Sequence, residues 1–187
     1  MFGFIARFIL ALLGWSIEGA NPAIKKAVCV IAPHTSYWDW FYLLMTGFAF
    51  QRRFRYLVSD NEYYQPHKTL PLKITGAIPL NPQKSMVKTV VEHLNAADDL
   101  LLVISPEGEL TKTDYWHTGF YYMAKEAHVP LVPVALDYQK RRITIGAVVP
   151  ISGDIESDVR VLSEHYIGVA GRHPEQFGAV QVRVQHQ

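Results

Sequence analysis

The stretch that decides how this chain folds is Ala27-Val28-Cys29-Val30-Ile31-Ala32-Pro33-His34-Thr35-Ser36-Tyr37-Trp38-Asp39. Its first six residues are apolar without interruption, which predicts a buried strand over 27–32. The aromatic-rich segment that follows, Tyr37 to Phe50, has helical character and predicts a helix over 37–49. His34 and Asp39 therefore fall where a strand ends and a helix begins. At such a junction an imidazole can lie at the sheet edge while a carboxylate in the first helical turn points back at it. A neutral histidine oriented by a carboxylate is a general base near pH 7, able to activate a hydroxyl. The same residues fit a second reading. Ser36-x-x-Asp39 has the form of a capping box, in which both side chains only close off the helix's orphan N–H groups. On these residues alone both readings stand.

Outward from this stretch, strands and helices alternate. Residues 15–18 read as a short strand and Asn21-Pro22 as a turn. Residues 55–59 read as a strand and 60–75 as loop with a short helix. A brief strand follows over 77–80. Residues 83–95 place Met86, Val87, Val90, Val91 and Leu94 on one helical face. A strand over 100–104, a helix over 118–127, strands over 131–137 and 142–149, and a helix from Asp154 to about residue 170 complete the chain, with Asp154 as N-cap. This alternation predicts a single α/β domain with a mostly parallel mixed sheet flanked by helices. The strands within 131–149 are close enough in sequence to form an antiparallel hairpin.

The chain has 187 residues, enough for one domain with a real core. It carries 18 Lys and Arg against 17 Asp and Glu, a net charge of +1 that excludes a bulk nucleic-acid binder. Basic clusters at Lys25-Lys26, Arg52-Arg53 with Arg55, and Lys140-Arg141-Arg142 read as solvated turns or as a face toward anionic headgroups. The single cysteine, Cys29, falls in the predicted buried strand and leaves no internal disulfide, in keeping with a reducing compartment. Among the first 17 positions, ten are large and apolar and Arg7 is the only basic residue. The run is short for a membrane span and is broken by Gly14. Residues 1–14 are expected to form a helix lying in the membrane interface, with 15–187 as the remaining domain. The alternatives are a helix packed on the domain's own core, or a true span or signal.

A second block, Ile104-Ser105-Pro106-Glu107-Gly108, also follows a strand. In open α/β sheets, sites collect beyond the carboxyl ends of strands. The loop offers one carboxylate and, at Gly108, a backbone that can approach a ligand closely. Gly76-Ala77-Ile78-Pro79-Leu80-Asn81 and Val129-Pro130-Leu131-Val132-Pro133-Val134 complete a set of four. In this order and spacing, with Trp116-His117-Thr118-Gly119-Phe120-Tyr121 alongside, the chain resembles the glycerophosphate and lysophospholipid acyltransferase family. The resemblance covers nearly the whole chain. It implies a glycerolipid acyltransferase-like fold and acyl transfer from a thioester, acyl-CoA or acyl-carrier protein, to a lysolipid or glycerophosphate-like hydroxyl. His34 and Asp39 would be the catalytic pair, with His34 taking the hydroxyl proton and Asp39 holding the imidazole tautomer. Backbone N–H groups of the 106–110 loop, Gly108 among them, would face the oxyanion. Glu107 would help position the acceptor, and Gly76 belongs to the second block. No metal or bound cofactor is implied. The other histidines (His67, His93, His117, His128, His165, His173 and His186) lack ligand spacing and default to surface or core. The expected setting is the cytoplasmic face of a membrane, peripherally bound.

Two arginines of the family pattern are absent. The second block runs into Leu80-Asn81-Pro82 and the third into Glu109-Leu110. Guanidinium recognition of phosphate is not easily replaced. Three readings follow. Lys84 and Lys112, each two residues further on, supply the phosphate contacts; or the acceptor carries no phosphate monoester; or the chain is a non-catalytic lipid-binding relative. A thioesterase, with water in the acceptor's place, is a further alternative.

Overall fold

The structure is a computed structural model and describes residues 2–19, 21 and 23–183. Seven strands form one sheet: β1 (Ser16–Glu18), β2 (Lys26–Ala32), β3 (Phe54–Ser59), β4 (Ala77–Leu80), β5 (Leu100–Ile104), β6 (Leu131–Asp137) and β7 (Arg142–Ile145). Their order across the sheet is β1-β7-β6-β2-β5-β3-β4. Every pairing is parallel except β6 with β7, which form the antiparallel hairpin expected from their short connection. The helices are α1 (Phe2–Leu12), α2 (Trp38–Phe50), α3 (Asp60–Tyr63), α4 (Thr69–Thr75), α5 (Met86–Ala96), α6 (Gly119–Glu126) and α7 (Ile155–Glu164).

The uninterrupted apolar run of β2 has a direct cause. Val28, Val30 and Ala32 face a core shared with Leu94 of α5, Phe120 and Tyr121 of α6, and Leu162 of α7. Ala27, Cys29 and Ile31 face the opposite core, built with Leu10, Trp15, Tyr42 and Leu43. A strand covered on both faces has no solvent side on which to alternate. Removing one of these large buried side chains, Leu162→Ala for example, costs about 2–5 kcal/mol.

Because β5 and β6 both run parallel to β2, all three end on the same edge. Val30 lies opposite Ile104, and Ala32 opposite Ala135. This brings three chain segments to one place: 33–39 after β2, 105–110 after β5, and Tyr138 after β6.

Some boundaries differ from the sequence expectation. Residues 60–75 hold two short helices, not one. The helix expected from 83 starts at Met86, because Ser85 caps it, accepting from Lys88 N–H. β7 stops at Ile145, although Val149 still bridges to Leu131. The last helix is capped by Asp154 as expected but stops at Glu164, with turns rather than helix leading to residue 170. Pro22 of the expected turn, Met1 and His186 lie outside the described residues.

Helix α1 buries Gly3, Ala6 and Leu10 and packs on α2. The approach is close: a Cβ on Gly3 would meet the carbonyl oxygens of Phe48 and Ala49 at 3.3 Å. The opposite face leaves Phe4, Phe8 and Leu12 exposed. Packing on the domain thus accounts for one face of this helix only.

Candidate active site

His34 Nδ1 lies 3.0 Å from Asp39 Oδ2. The imidazole is 25% exposed and the carboxylate is fully buried. The same Oδ2 accepts the N–H groups of Thr35 at 3.0 Å and Ser36 at 3.1 Å. The Asp39 carboxylate thus makes both sets of contacts that Ser36-x-x-Asp39 allows, to the backbone and to the imidazole. The carboxylate reaches back to the backbone as in a capping box, but the Ser36 hydroxyl does not reciprocate. Its oxygen accepts from Trp38 N–H, while Asp39 N–H bonds the Ser36 carbonyl. One oxygen of Asp39 orders the loop and the histidine together. With Nδ1 facing a carboxylate as donor, Nε2 is the nitrogen left to accept a proton.

The other oxygen of Asp39 accepts the hydroxyl of Tyr138, immediately after β6. This contact spans 99 positions of sequence and had no signal in it.

Glu107 is 1% exposed and accepts the backbone N–H of His34 at 2.8 Å. It lies behind the loop and does not line the cavity in front of His34, so in this geometry it supports the His34 backbone and is not placed to touch an acceptor. Burial pushes its carboxyl up to about 7, against the pull of the His34 N–H.

In front of His34 is a cavity of about 580 Å³. Tyr37, Trp40 and Leu43 of the α2 segment, Tyr56 and Leu57 of β3, Val103 and Ile104 of β5, and Phe120 of α6 make its walls largely apolar. Ser105, Pro106, Gly108 and His117 line it as well. Gly108 has φ of 77°, and a Cβ there would meet His117 Cδ2 at 2.9 Å, so this close approach requires glycine. His117, assigned no role from its spacing, thus lines the same cavity as His34. Within the loop, Glu107 N–H bonds the Ser105 hydroxyl and Gly108 N–H the Ser105 carbonyl. The N–H groups of Glu109 and Leu110 have no partner among the described residues.

Besides Glu107, three expected acceptor-binding residues do not line this cavity. Gly76 ends α4 at φ of 97°, where a Cβ would sit 2.6 Å from the Phe54 carbonyl oxygen; its role is the turn into β4. Lys84 and Lys112 are exposed and line no part of the cavity. The cation brought to the His34 loop is Arg172. Its guanidinium lies over the Trp38 ring at 5.6 Å, and its charge reaches Tyr138. The segment carrying it is seated on the loop. His173 N–H bonds Thr35 Oγ1 at 3.2 Å, and a Cβ on Gly171 would meet that oxygen at 2.6 Å.

The family model described as Acyltransferase matches residues 16–137, more than half of the chain. The chain belongs to the acyltransferase family. The matched span holds the His34 loop, the Pro106-Glu107-Gly108 loop and the β6 block. It ends one residue before Tyr138 and excludes α1, α7 and Arg172. Among solved structures, the 1-acyl-sn-glycerophosphate (LPA) acyltransferase PlsC from Thermotoga maritima superposes with a TM-score of 0.64 at 15% identity, covering 88% of this chain and 74% of that one. At this identity the likeness is one of fold. A search of curated protein sequences found no match.

Proposed function

We propose that the protein moves a fatty acyl group from an acyl thioester, acyl-CoA or acyl-carrier protein, to the hydroxyl of a lysolipid or glycerophosphate-like acceptor. The observation that carries this reading is the His34–Asp39 pair at 3.0 Å, with His34 lining an apolar cavity of about 580 Å³. His34 Nε2 takes the proton of the acceptor hydroxyl. The oxygen attacks the thioester carbonyl, and collapse of the tetrahedral intermediate expels the thiolate, which recovers the proton from His34. No protein nucleophile is needed, and Cys29, whose thiol burial pushes up to about 12, is not placed to be one. The oxyanion is met from the 105–110 loop, which lines the cavity through Ser105, Pro106 and Gly108; the N–H groups of Glu109 and Leu110, unpartnered among the described residues, lie on that loop just outside the lining. The apolar walls receive the acyl chain. Arg172, over the Trp38 ring beside the His34 loop although outside the cavity lining, is a guanidinium placed to meet an anionic headgroup at that loop, in place of the two arginines the family pattern would supply.

Substrates of this kind reside in membranes. The exposed Phe4, Phe8 and Leu12 face of α1 lies against the lipid surface, so the protein docks peripherally. No described helix is long and apolar enough to cross a membrane.

The test is thiol release from palmitoyl-CoA or palmitoyl-carrier protein against a panel of glycerol 3-phosphate and lysophospholipids with anionic and zwitterionic heads, with products read by mass spectrometry. Release is expected only with an acceptor. Release without one, giving free fatty acid, would make the protein a thioesterase. Stoichiometric lipid binding without any release would make it a lipid-binding relative.

A further inference from the structure

Asp39 has two oxygens and they are held differently. Oδ2 carries three interactions, with Thr35 N–H, Ser36 N–H and the His34 ring. Among the described residues Oδ1 has one, the hydroxyl of Tyr138. The side chain is fully buried, so water cannot stand in for a lost donor. Tyr138 is itself held on three sides. Its N–H bonds the Ala170 carbonyl at 2.8 Å. Its ring meets Trp15 edge-on at 4.9 Å and Tyr42 edge-on at 5.8 Å. Trp15 and Tyr42 are in turn stacked at 3.9 Å, and Trp15 N–H bonds the Leu10 carbonyl at the end of α1. Burial, and after it the carboxylate of Asp39, pushes the phenol far above its ordinary range, so it remains a donor at every pH at which the protein works.

We propose that Tyr138 is a positioning residue of the reaction: its hydroxyl fixes the second oxygen of Asp39 and so sets the angle at which the first meets the His34 ring. This rests on His34 being the base. The aromatic cluster of Trp15, Tyr42 and Tyr138 then acts as the clamp behind the pair. Through it the end of α1 bears on the base.

Tyr138→Phe tests this while keeping the ring and its packing. Without the hydroxyl, Oδ1 is buried with no donor. The carboxylate turns to find one, and its charge, less neutralised, holds a proton on His34 more firmly. Glu107 from the β5 loop faces the pair, His117 lines the same cavity as His34, and Tyr42 from α2 and Arg172 from the C-terminal segment act on Tyr138; none of these changes in the variant. In the full chain, the His34 imidazole resonance, assigned by its loss in His34→Gln, should titrate with its midpoint raised by about half a pH unit or more in Tyr138→Phe. The rate at saturating substrate should fall roughly 10-fold, the effect of one hydrogen bond to a charged group, with KM little changed. An unmoved His34 midpoint would overturn the proposal, as would a variant whose only change is a lower melting temperature. A fully active His34→Ala would remove the base itself, a separate failure from an unmoved midpoint in an enzyme that needs His34.

Discussion

Asp39 and Glu107 are both buried carboxylates at the ends of neighbouring parallel strands, and both are turned toward His34. Their surroundings differ in the number of donors. Asp39 accepts two backbone N–H groups and a tyrosine hydroxyl and faces the imidazole. Among the described residues Glu107 accepts a single N–H, that of His34, and its carboxyl is raised to about 7. Burial alone penalises the charged form of a carboxylate, and only enough donors offset it. One of the two has hydrogen-bond partners on both oxygens, the imidazole among them. The other holds the loop's backbone from behind.

The contrast sharpens under substitution. Asp39→Asn removes the charge that steadies the imidazolium and should lower acyl transfer by about 100-fold or more, measured as thiol release with acceptor present. Glu107→Gln keeps an oxygen for the His34 N–H and should cost only about 3-fold by the same assay, a residual of hydrogen-bond strength. Its larger effect is on stability. Between its ordinary 4.5 and about 7, Glu107 is protonated in the fold and ionised in the unfolded chain. The fold then binds the extra proton, and the contribution of Glu107 to stability declines as pH rises through that window. The Gln variant lacks this decline, so it should gain on the wild type by about 3 kcal/mol from pH 4.5 to above pH 7 in denaturant titrations. A variant that tracks the wild type across that window would show that Glu107 titrates normally.

The comparison also separates what the sequence carries from what it does not. His34 and Asp39 are five residues apart, and a strand-to-helix junction fixes their relation locally, so their pairing could be read from the pattern 27–39. The apolar run of β2 signalled the sheet's centre, and the short 131–149 connection signalled the hairpin. Tyr138 was not legible, because its contact depends on β6 lying beside β2, a fact of topology with no local mark. Glu107 was legible as a residue of the site but not in its role. A Pro-Glu-Gly loop does not say whether its carboxylate faces the cavity or the chain behind it. Lys84 and Lys112 were chosen by their nearness in sequence to absent arginines. The cation actually seated on the loop, Arg172, arrives from the far end of the chain, held by the packing of Gly171 and His173 on Thr35.

The smallest effect on chemistry is expected at α1. Replacing Phe4, Phe8 and Leu12 with serine leaves Gly3, Ala6 and Leu10 packed on α2. Turnover of a short-chain, water-soluble acceptor should be unchanged, while co-sedimentation with anionic phospholipid vesicles should be lost. Retained sedimentation would move the docking surface to the basic clusters.

The most direct test of the central claim is acceptor-dependent thiol release by wild type and His34→Ala, compared on the same acyl thioester. With His34 as the base, wild type releases thiol only when an acceptor is present, and the variant is slower by at least about 100-fold. Equal rates in the two proteins would contradict it.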